Sequence, residues 1–191
     1  MHTEKEIEFK NLLTKDEFEQ MLAHFQVDSD DFYTQTNYYF DTSSNYFKEK
    51  KMGFRLRVMD NKNELTLKVP EKEHIMNETT YLLTDSEKEE ILQNLHFPDI
   101  PIINQIKNEG TLTCIGSMQT NRANKTFENG MLFFDHSLYS QTEDFEVEYE
   151  CDNVENGKKV FVNLLESLQI PIRSADKKIA RLINYNHTLK G

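Results

Sequence analysis

The amino-acid sequence predicts an α+β fold in which a closed antiparallel β-barrel is flanked by helices. Segments in which apolar and polar residues alternate recur along the chain, and this period of two is typical of strands. The polar positions of these segments carry charges of both signs, whereas the opposite positions are apolar. Amphipathic helical segments between the strands can cover the apolar faces. A sheet of this kind can close with its charges inside, which also removes its exposed edges.

The first half of the chain contains five predicted strands and three predicted helices. Alternation places the strands at residues 4–10, 34–41, 53–59, 63–69 and 76–83. The third and fourth strands are separated only by a short polar turn, which favours a hairpin. Capping boxes that pair Thr14 with Glu17 and Thr84 with Glu87 predict the starts of two helices. A third, short helix is expected at residues 100–108.

The second half of the chain continues in the same style without repeating the sequence. Strands are predicted near residues 111–120, 120–127, 131–138 and 143–151. An apolar stripe predicts a helix near residues 154–168. A last helix is expected to start at Asp176 as its N-cap.

The composition limits the classes of protein to which the chain can belong. Its 191 residues are the size of one ordinary domain, and we expect a single domain over residues 1–191. The net charge of −11 argues against a surface for nucleic acid or for an anionic membrane, although bound cations can reverse a local field. Cysteine usage, the lack of a signal-peptide pattern and the lack of a membrane-length apolar run favour a cytoplasmic protein. No residue argues for a particular oligomer, which leaves a homodimer open.

Charged residues share one face of strand after strand: Glu6, Glu8 and Lys10; Arg55 and Arg57; Glu64 and Lys68; Glu146, Glu148 and Glu150. Like charges on one strand face repel each other unless a cation offsets them. A solvated outer face explains each cluster taken alone, and only their recurrence favours a charged bore. Asp135 interrupts an apolar run, where a carboxylate is expected to be functional or to form a turn or a structural salt bridge.

Familiar catalytic motifs are absent from the sequence. There is no GxxxxGK[ST] loop, no GxSxG elbow and no credible Cys-His nucleophile, and the six histidines form no metal-type cluster. Any chemistry is therefore expected to be carried by carboxylates and cations.

Taken in their order along the chain, the charged motifs resemble those of the CYTH superfamily, also called triphosphate tunnel metalloenzymes, which includes class IV adenylate cyclases and thiamine triphosphatases. The resemblance runs from Glu6 to about Arg181. It rests on Glu6-Ile-Glu8-Phe-Lys10, Asn37-Tyr-Tyr39-Phe40-Asp41, Arg55-Leu-Arg57, Leu65-Thr-Leu-Lys68, Glu78, Arg122, Asp135, Glu146-Val-Glu148-Tyr-Glu150 and Lys178-Ile-Ala-Arg181. Three positions depart from the family pattern: Asn37 replaces an acid, Lys177 stands where the family usually has serine, and Ile179 replaces an aromatic residue.

This resemblance implies an eight-stranded barrel that serves as a tunnel for a small-molecule triphosphate. The cations expected to bind its phosphates are Lys10, Arg55, Arg57, Lys68, Arg122 and Lys178. Carboxylates cannot face phosphate directly, so Mg²⁺ or Mn²⁺ is expected to bridge the two. The candidate metal ligands are Glu6, Glu8, Asp135, Glu146 and Glu148. The sequence assigns neither a general base nor the organic part of the substrate.

Several functions remain open at this stage. The leading hypothesis is a divalent-metal-dependent triphosphatase acting on inorganic triphosphate, thiamine triphosphate or a nucleoside triphosphate. An adenylate cyclase would use the same bore to make cyclic AMP, but it needs a pocket for adenine and ribose that the sequence does not identify. The Asn37 departure favours a non-catalytic module that binds polyphosphate or nucleotide. The remaining alternative is a structural barrel with solvated charges.

Overall fold

The computed structural model describes residues 1–188, in which eight strands form one closed antiparallel barrel. The order of strands around the barrel is β1-β5-β4-β3-β2-β6-β7-β8. Their bounds are β1 (His2–Leu13), β2 (Tyr33–Thr42), β3 (Gly53–Val58), β4 (Asn63–Lys72), β5 (Ile75–Leu83), β6 (Leu112–Phe127), β7 (Gly130–Tyr139) and β8 (Thr142–Cys151). The predicted barrel and its hairpin between β3 and β4 are confirmed.

Helices surround this barrel: α1 (Lys15–His24), α2 (Tyr46–Glu49), α3 (Asp85–Asn94), α4 (Pro101–Ile106), α5 (Val154–Ser167) and α6 (Lys178–Thr188). Both predicted capping boxes are confirmed at the starts of α1 and α3. The predicted cap at Asp176 is wrong by one residue, because the carbonyl of Lys177 accepts the first bonds of α6 from Ala180 and Arg181. Of the helices within residues 1–188, none combines the length and the apolar character that crossing a bilayer requires.

The two strands predicted near residues 111–120 and 120–127 are a single 16-residue strand, β6. It is long because its first part pairs with β2 and its last part pairs with β7. The register with β2 shifts next to Gly116, which has a φ of +150°. A Cβ on Gly116 would meet the Leu182 side chain at 2.9 Å, so glycine also permits the close approach of α6.

Apolar side chains on the outer face of the barrel form two cores beneath the helices. One lies under α1 and α5 and includes Phe9, Phe134, Tyr149, Phe18 and Phe161. The other lies under α2, α3 and α4 and includes Phe40, Phe54, Phe47, Ile91 and Ile102. Burying one side chain of this size stabilises the fold by roughly 1.5–3 kcal/mol. With the apolar faces covered from outside, the charged faces of the strands point into the barrel.

Gly157 gives a test of the packing of α5 on the barrel. An added Cβ would lie 2.9 Å from a ring carbon of Phe9 and still closer to the sulfur of Cys151. Alanine is the better helix former by about 1 kcal/mol, but overpacking a core costs about 1–3 kcal/mol. We therefore expect Gly157→Ala to lower the free energy of unfolding in chemical denaturation.

The matched control is Gly53→Ala in β3, where an added Cβ would meet only the Cβ of Lys68 at 3.9 Å. Its free energy of unfolding should change by less than about 1 kcal/mol. A Gly157→Ala protein as stable as the wild type would show that α5 does not pack as described.

Candidate functional site

The inward side chains of all eight strands line one cavity of about 1160 Å³. Strands β1, β2 and β4 begin at one end of this bore, and β3 and β5 finish there. This end, the open mouth, is bordered by Met1, Tyr33, Leu82 and Phe133. It is accessible to solvent, since Met1 and Leu82 are 71% and 64% exposed.

A segment between α5 and α6, residues 171–177, crosses the other end of the bore and is called the strap here. At its start, the N–H of Arg173 donates to the Asn11 side chain at 2.5 Å, and the Arg173 guanidinium donates to both carboxylate oxygens of Glu17 at 2.6 and 2.9 Å. At its finish, the Lys177 ammonium donates to the carbonyl of Lys51 at 2.8 Å. Asn11 lies in β1 and Lys51 lies in the turn just before β3, and these two strands stand well apart around the barrel. The strap therefore spans the bore opposite the open mouth.

Asp135, Glu146 and Glu148 form a buried group of carboxylates on β7 and β8, the inner acid cluster. In the antiparallel pair of β7 and β8, Asp135 lies beside Glu146. In the pair of β6 and β7, Arg122 lies beside Asp135. The Arg122 guanidinium donates to both oxygens of Asp135 at 2.6 and 2.5 Å, and to Glu148 at 2.5 Å. Such two-pronged pairs are among the strongest charge-assisted hydrogen bonds.

Helix α6 supplies the other two cations of the inner acid cluster. The Lys178 ammonium lies 2.8 Å from Asp135 and 2.6 Å from Glu148, and it also contacts Glu146. Arg181 donates to Glu146 from the other side. Although burial acts in the opposite direction, Lys178 and Arg122 hold the pKa of Glu148 well below its ordinary value. The cluster is thus close to charge balance without any bound ion.

Glu6, Glu8 and Glu150 form a second group on β1 and β8, the outer acid cluster, whose carboxylate oxygens lie within 4.8 Å of one another. Lys10 contacts Glu8, and Lys68 lies 2.9 Å from Glu6. Among residues 1–185, whose side chains the structure describes, no cation forms an ion pair with Glu150. Burial, together with the charges of Glu6 and Glu148, raises the pKa of Glu150 to about 8. The charged form of Glu150 is therefore disfavoured, and a cation bound among the three carboxylates would stabilise it by displacing its proton.

Arg55 and Arg57 on β3, with Lys68 on β4, form a basic wall in the bore. The Nε of Arg57 donates to the Asn37 side chain at 3.0 Å. Burial and the nearby charges of Arg55 and Arg122 lower the pKa of Arg57 to about 10. Among the side chains of residues 1–185, none forms a hydrogen bond with the Nε of Arg55, and its guanidinium lies 4.0 Å from Glu78. These arginines have donors to spare, which suits an anionic ligand.

All of the side chains predicted from the sequence to bind phosphate or metal face the bore or the inner acid cluster. Glu150 is not among the predicted metal ligands, although it shares the strand face of Glu146 and Glu148 and lies beside Glu6 and Glu8. The sequence interpretation also missed the open mouth and the strap, because no local sequence pattern predicts either feature. Asp41, part of a recognised motif, has a structural role, because its carboxylate accepts from the N–H groups of Phe47 and Lys48 and caps α2.

A closed barrel with these charged faces, in this order along the chain, defines a CYTH-type tunnel protein. The CYTH domain family matches residues 4–183, and the chain belongs to this family. It is 36% identical over 185 residues to a Bacillus subtilis (strain 168) protein named "Putative triphosphatase YjbK", with 95% of each chain covered.

Solved structures show the same fold. A Bacillus halodurans protein described as "a putative adenylate cyclase" is 30% identical, with a TM-score of 0.89 and coverage of 95% of this chain and 98% of that chain. HpAC1 from Hippeastrum is 21% identical, with a TM-score of 0.78 and 95% of each chain covered, and this likeness concerns the fold alone.

The shifted pKa of Glu150 predicts a pH-dependent stability. Because its folded-state pKa of about 8 lies above the ordinary value of 4.5, the folded protein holds this proton more tightly than the unfolded chain. Stability is therefore lost as the pH rises from 4.5 through 8. With a chelator present, Glu150→Gln should melt at a higher temperature than the wild type at pH 9, and the gap should close towards pH 4.5. A gap that is constant across this range would refute the raised pKa of Glu150.

Proposed function

We propose that the protein is a divalent-metal-dependent triphosphatase that hydrolyses a phosphoric anhydride bond of a small-molecule triphosphate inside the barrel. The observation that carries this proposal is the arrangement of opposite charges across one cavity. Three strands separate β3 from β8 in either direction around the barrel, so the basic wall faces the acidic strand directly. A polyanion on one wall and a metal ion on the other would complement each other.

Phosphate binding is assigned to the cations that line the bore. Arg55 and Arg57 have unused donors and are the first candidates. Lys10, Lys68, Arg122 and Lys178 are paired with carboxylates, and they would bind phosphate by exchanging one anionic partner for another. Charge-assisted hydrogen bonds to phosphate are of the same kind as those they already make.

Mg²⁺ or Mn²⁺ fits the outer acid cluster better than the inner one. Glu6, Glu8 and Glu150 offer three convergent oxygens, and Glu150 has no cationic partner that a metal ion would have to displace. Asp135 and Glu146 already hold Arg122, Lys178 and Arg181, so their part in metal binding stays a prediction. A bound ion would polarise the phosphate oxygens and lower the pKa of an attacking water. The chain itself would position the phosphates and neutralise their charge.

The named relatives support this proposal and its main alternative. The Bacillus subtilis relative carries the name of a triphosphatase, and the Bacillus halodurans structure carries that of an adenylate cyclase. Both reactions would begin with a triphosphate in the same bore. The products formed from ATP separate them, because hydrolysis releases phosphate whereas cyclisation gives cyclic AMP and pyrophosphate.

The first test measures phosphate release from inorganic triphosphate, thiamine triphosphate and ATP with Mg²⁺ or Mn²⁺. Glu148→Gln removes a partner of Arg122 and Lys178, and Arg57→Ala removes part of the basic wall. We expect each variant to lower kcat/KM by about 100-fold, as loss of a charged contact in a buried site typically does. Circular dichroism would show that both variants fold.

Lys15→Gln on the exposed face of α1 is the control and should keep wild-type activity. Cyclic AMP from ATP would instead support the cyclase, and tight binding without turnover would support a binding module. Equal activity in Glu148→Gln, Arg57→Ala and the wild type would show that the bore is not the site of reaction.

Metal binding can be tested without turnover. An ion that binds only the folded protein raises its melting temperature as the ion concentration increases. We expect Mn²⁺ to raise the Tm of the wild type, and Glu8→Gln to need at least about tenfold more Mn²⁺ for the same rise, since a ligand oxygen is weakened. Glu19→Gln on the surface of α1 should behave as the wild type. An unchanged response in Glu8→Gln would place the metal elsewhere.

A further inference from the structure

Arg57 differs from the other arginines of the chain because it has no carboxylate partner. The other four each have a carboxylate oxygen within 4.0 Å: Arg55, Arg122, Arg173 and Arg181. Among the side chains of residues 1–185, no carboxylate lies within this distance of the Arg57 guanidinium. Glu64 is opposite Arg57 on β4, but it pairs with Lys62 at 2.7 Å. Arg57 is therefore a cation of the cavity wall without a counter-charge in contact.

The partner that Arg57 does have is the neutral amide of Asn37, which lies opposite it on β2. The Nε of Arg57 donates to the Oδ1 of Asn37 at 3.0 Å, and this bond fixes the orientation of the amide because arginine can only donate. Asn37 is fully buried, and among residues 1–185 its Nδ2 has no hydrogen-bond partner. An aspartate of nearly the same shape would leave no such donor and would form an ion pair with Arg57. The amide is thus a less stable choice than the acid at this position.

Strand β2 contributes no charge to this part of the bore. The inward side chains of residues 33–39 are Tyr33, Gln35, Asn37 and Tyr39. Arginines stand on both neighbouring strands, with Arg55 and Arg57 on β3 and Arg122 on β6. Gln35 is buried, and among residues 1–185 both polar atoms of its amide lack a hydrogen-bond partner. The strand between these arginines therefore has two buried amides where a carboxylate would neutralise Arg57.

We propose that Asn37 is a positioning residue that orients the Arg57 guanidinium and leaves it without a counter-charge, so that Arg57 binds a phosphate group directly, with no bridging metal ion. The inference rests on the proposed function of the bore and deepens it. The bond to Asn37 uses the Nε of Arg57, whereas the two terminal nitrogens form no hydrogen bond with residues 1–185. These nitrogens can donate to two oxygens of one phosphate group. An aspartate at position 37 would compete with phosphate for the guanidinium.

Asn37→Asp tests this inference, because it adds one negative charge and barely changes the shape of the side chain. Calorimetric titration measures the binding of inorganic triphosphate, with a chelator present to prevent metal-dependent hydrolysis. We expect Asn37→Asp to bind triphosphate at least about tenfold more weakly than the wild type, since its carboxylate occupies the guanidinium. Without ligand, the same variant should have a higher Tm than the wild type, because Arg57 gains a partner. A residue with a structural role alone would change affinity and stability in the same direction.

Two further variants separate the added charge from other effects. Asn37→Leu is neutral and loses the hydrogen bond to Arg57, so it should lower the Tm and weaken triphosphate binding less than Asn37→Asp does. Asn121→Asp is the matched control on the outer face of β6, where the Thr34 hydroxyl can still donate to the new carboxylate. Its affinity for triphosphate should equal that of the wild type.

The inference is overturned if Asn37→Asp binds triphosphate as tightly as the wild type, or no more weakly than Asn37→Leu. Binding by the wild type that requires added Mn²⁺ would also overturn it, because Arg57 would then not act without a metal, and the proposed function would stand. A wild type that binds no triphosphate with or without Mn²⁺ would refute the proposed function and this inference together.

Discussion

The structure depends on the cost of placing charges inside a closed barrel. Removing an ion from water costs several kcal/mol, and a partner of opposite charge must offset that cost. Asp135, fully buried, is therefore bound by Arg122 from the next strand and by Lys178 from α6. The same requirement fixes the position of α6, because its first turn supplies the cations that the inner acid cluster needs. Secondary structure outside the barrel thus completes the electrostatics within it.

Charge balance is not achieved throughout the bore, and its failures mark where ligands are expected. The inner acid cluster is matched by cations of the chain, so its charges are balanced before any ligand binds. Glu150 and Arg57, on strands that face each other, have pKa values moved away from their ordinary values by burial and by like charges. Groups held in this way gain stability when a ligand of opposite charge arrives. A metal ion is complementary to Glu150, and a polyphosphate is complementary to Arg57.

Local patterns predict this fold well where the physical cause is local. Period-two alternation located the strands, and the hydroxyl of Thr14 with the carboxylate of Glu17 located the start of α1. The continuity of β6 was missed because it depends on two different neighbours pairing with its two halves. Which charged faces meet across the bore depends on strand order and register, so the pairing of Lys178 with the inner acid cluster could not be predicted from spacing. The strap was missed for the same reason, since its partners are remote in sequence.

The strap also has a kinetic consequence. The strap crosses one end of the bore, so a ligand that enters and leaves through the open mouth alone would release its innermost part last. If an ester is cleaved with its terminal phosphate innermost, that phosphate lies behind the larger product. The organic product would then leave before phosphate, unless the hydrogen bonds of Arg173 to Asn11 and of Lys177 to Lys51 break and the strap moves aside. The two ends of a seven-residue loop would in this way determine the order in which the products appear.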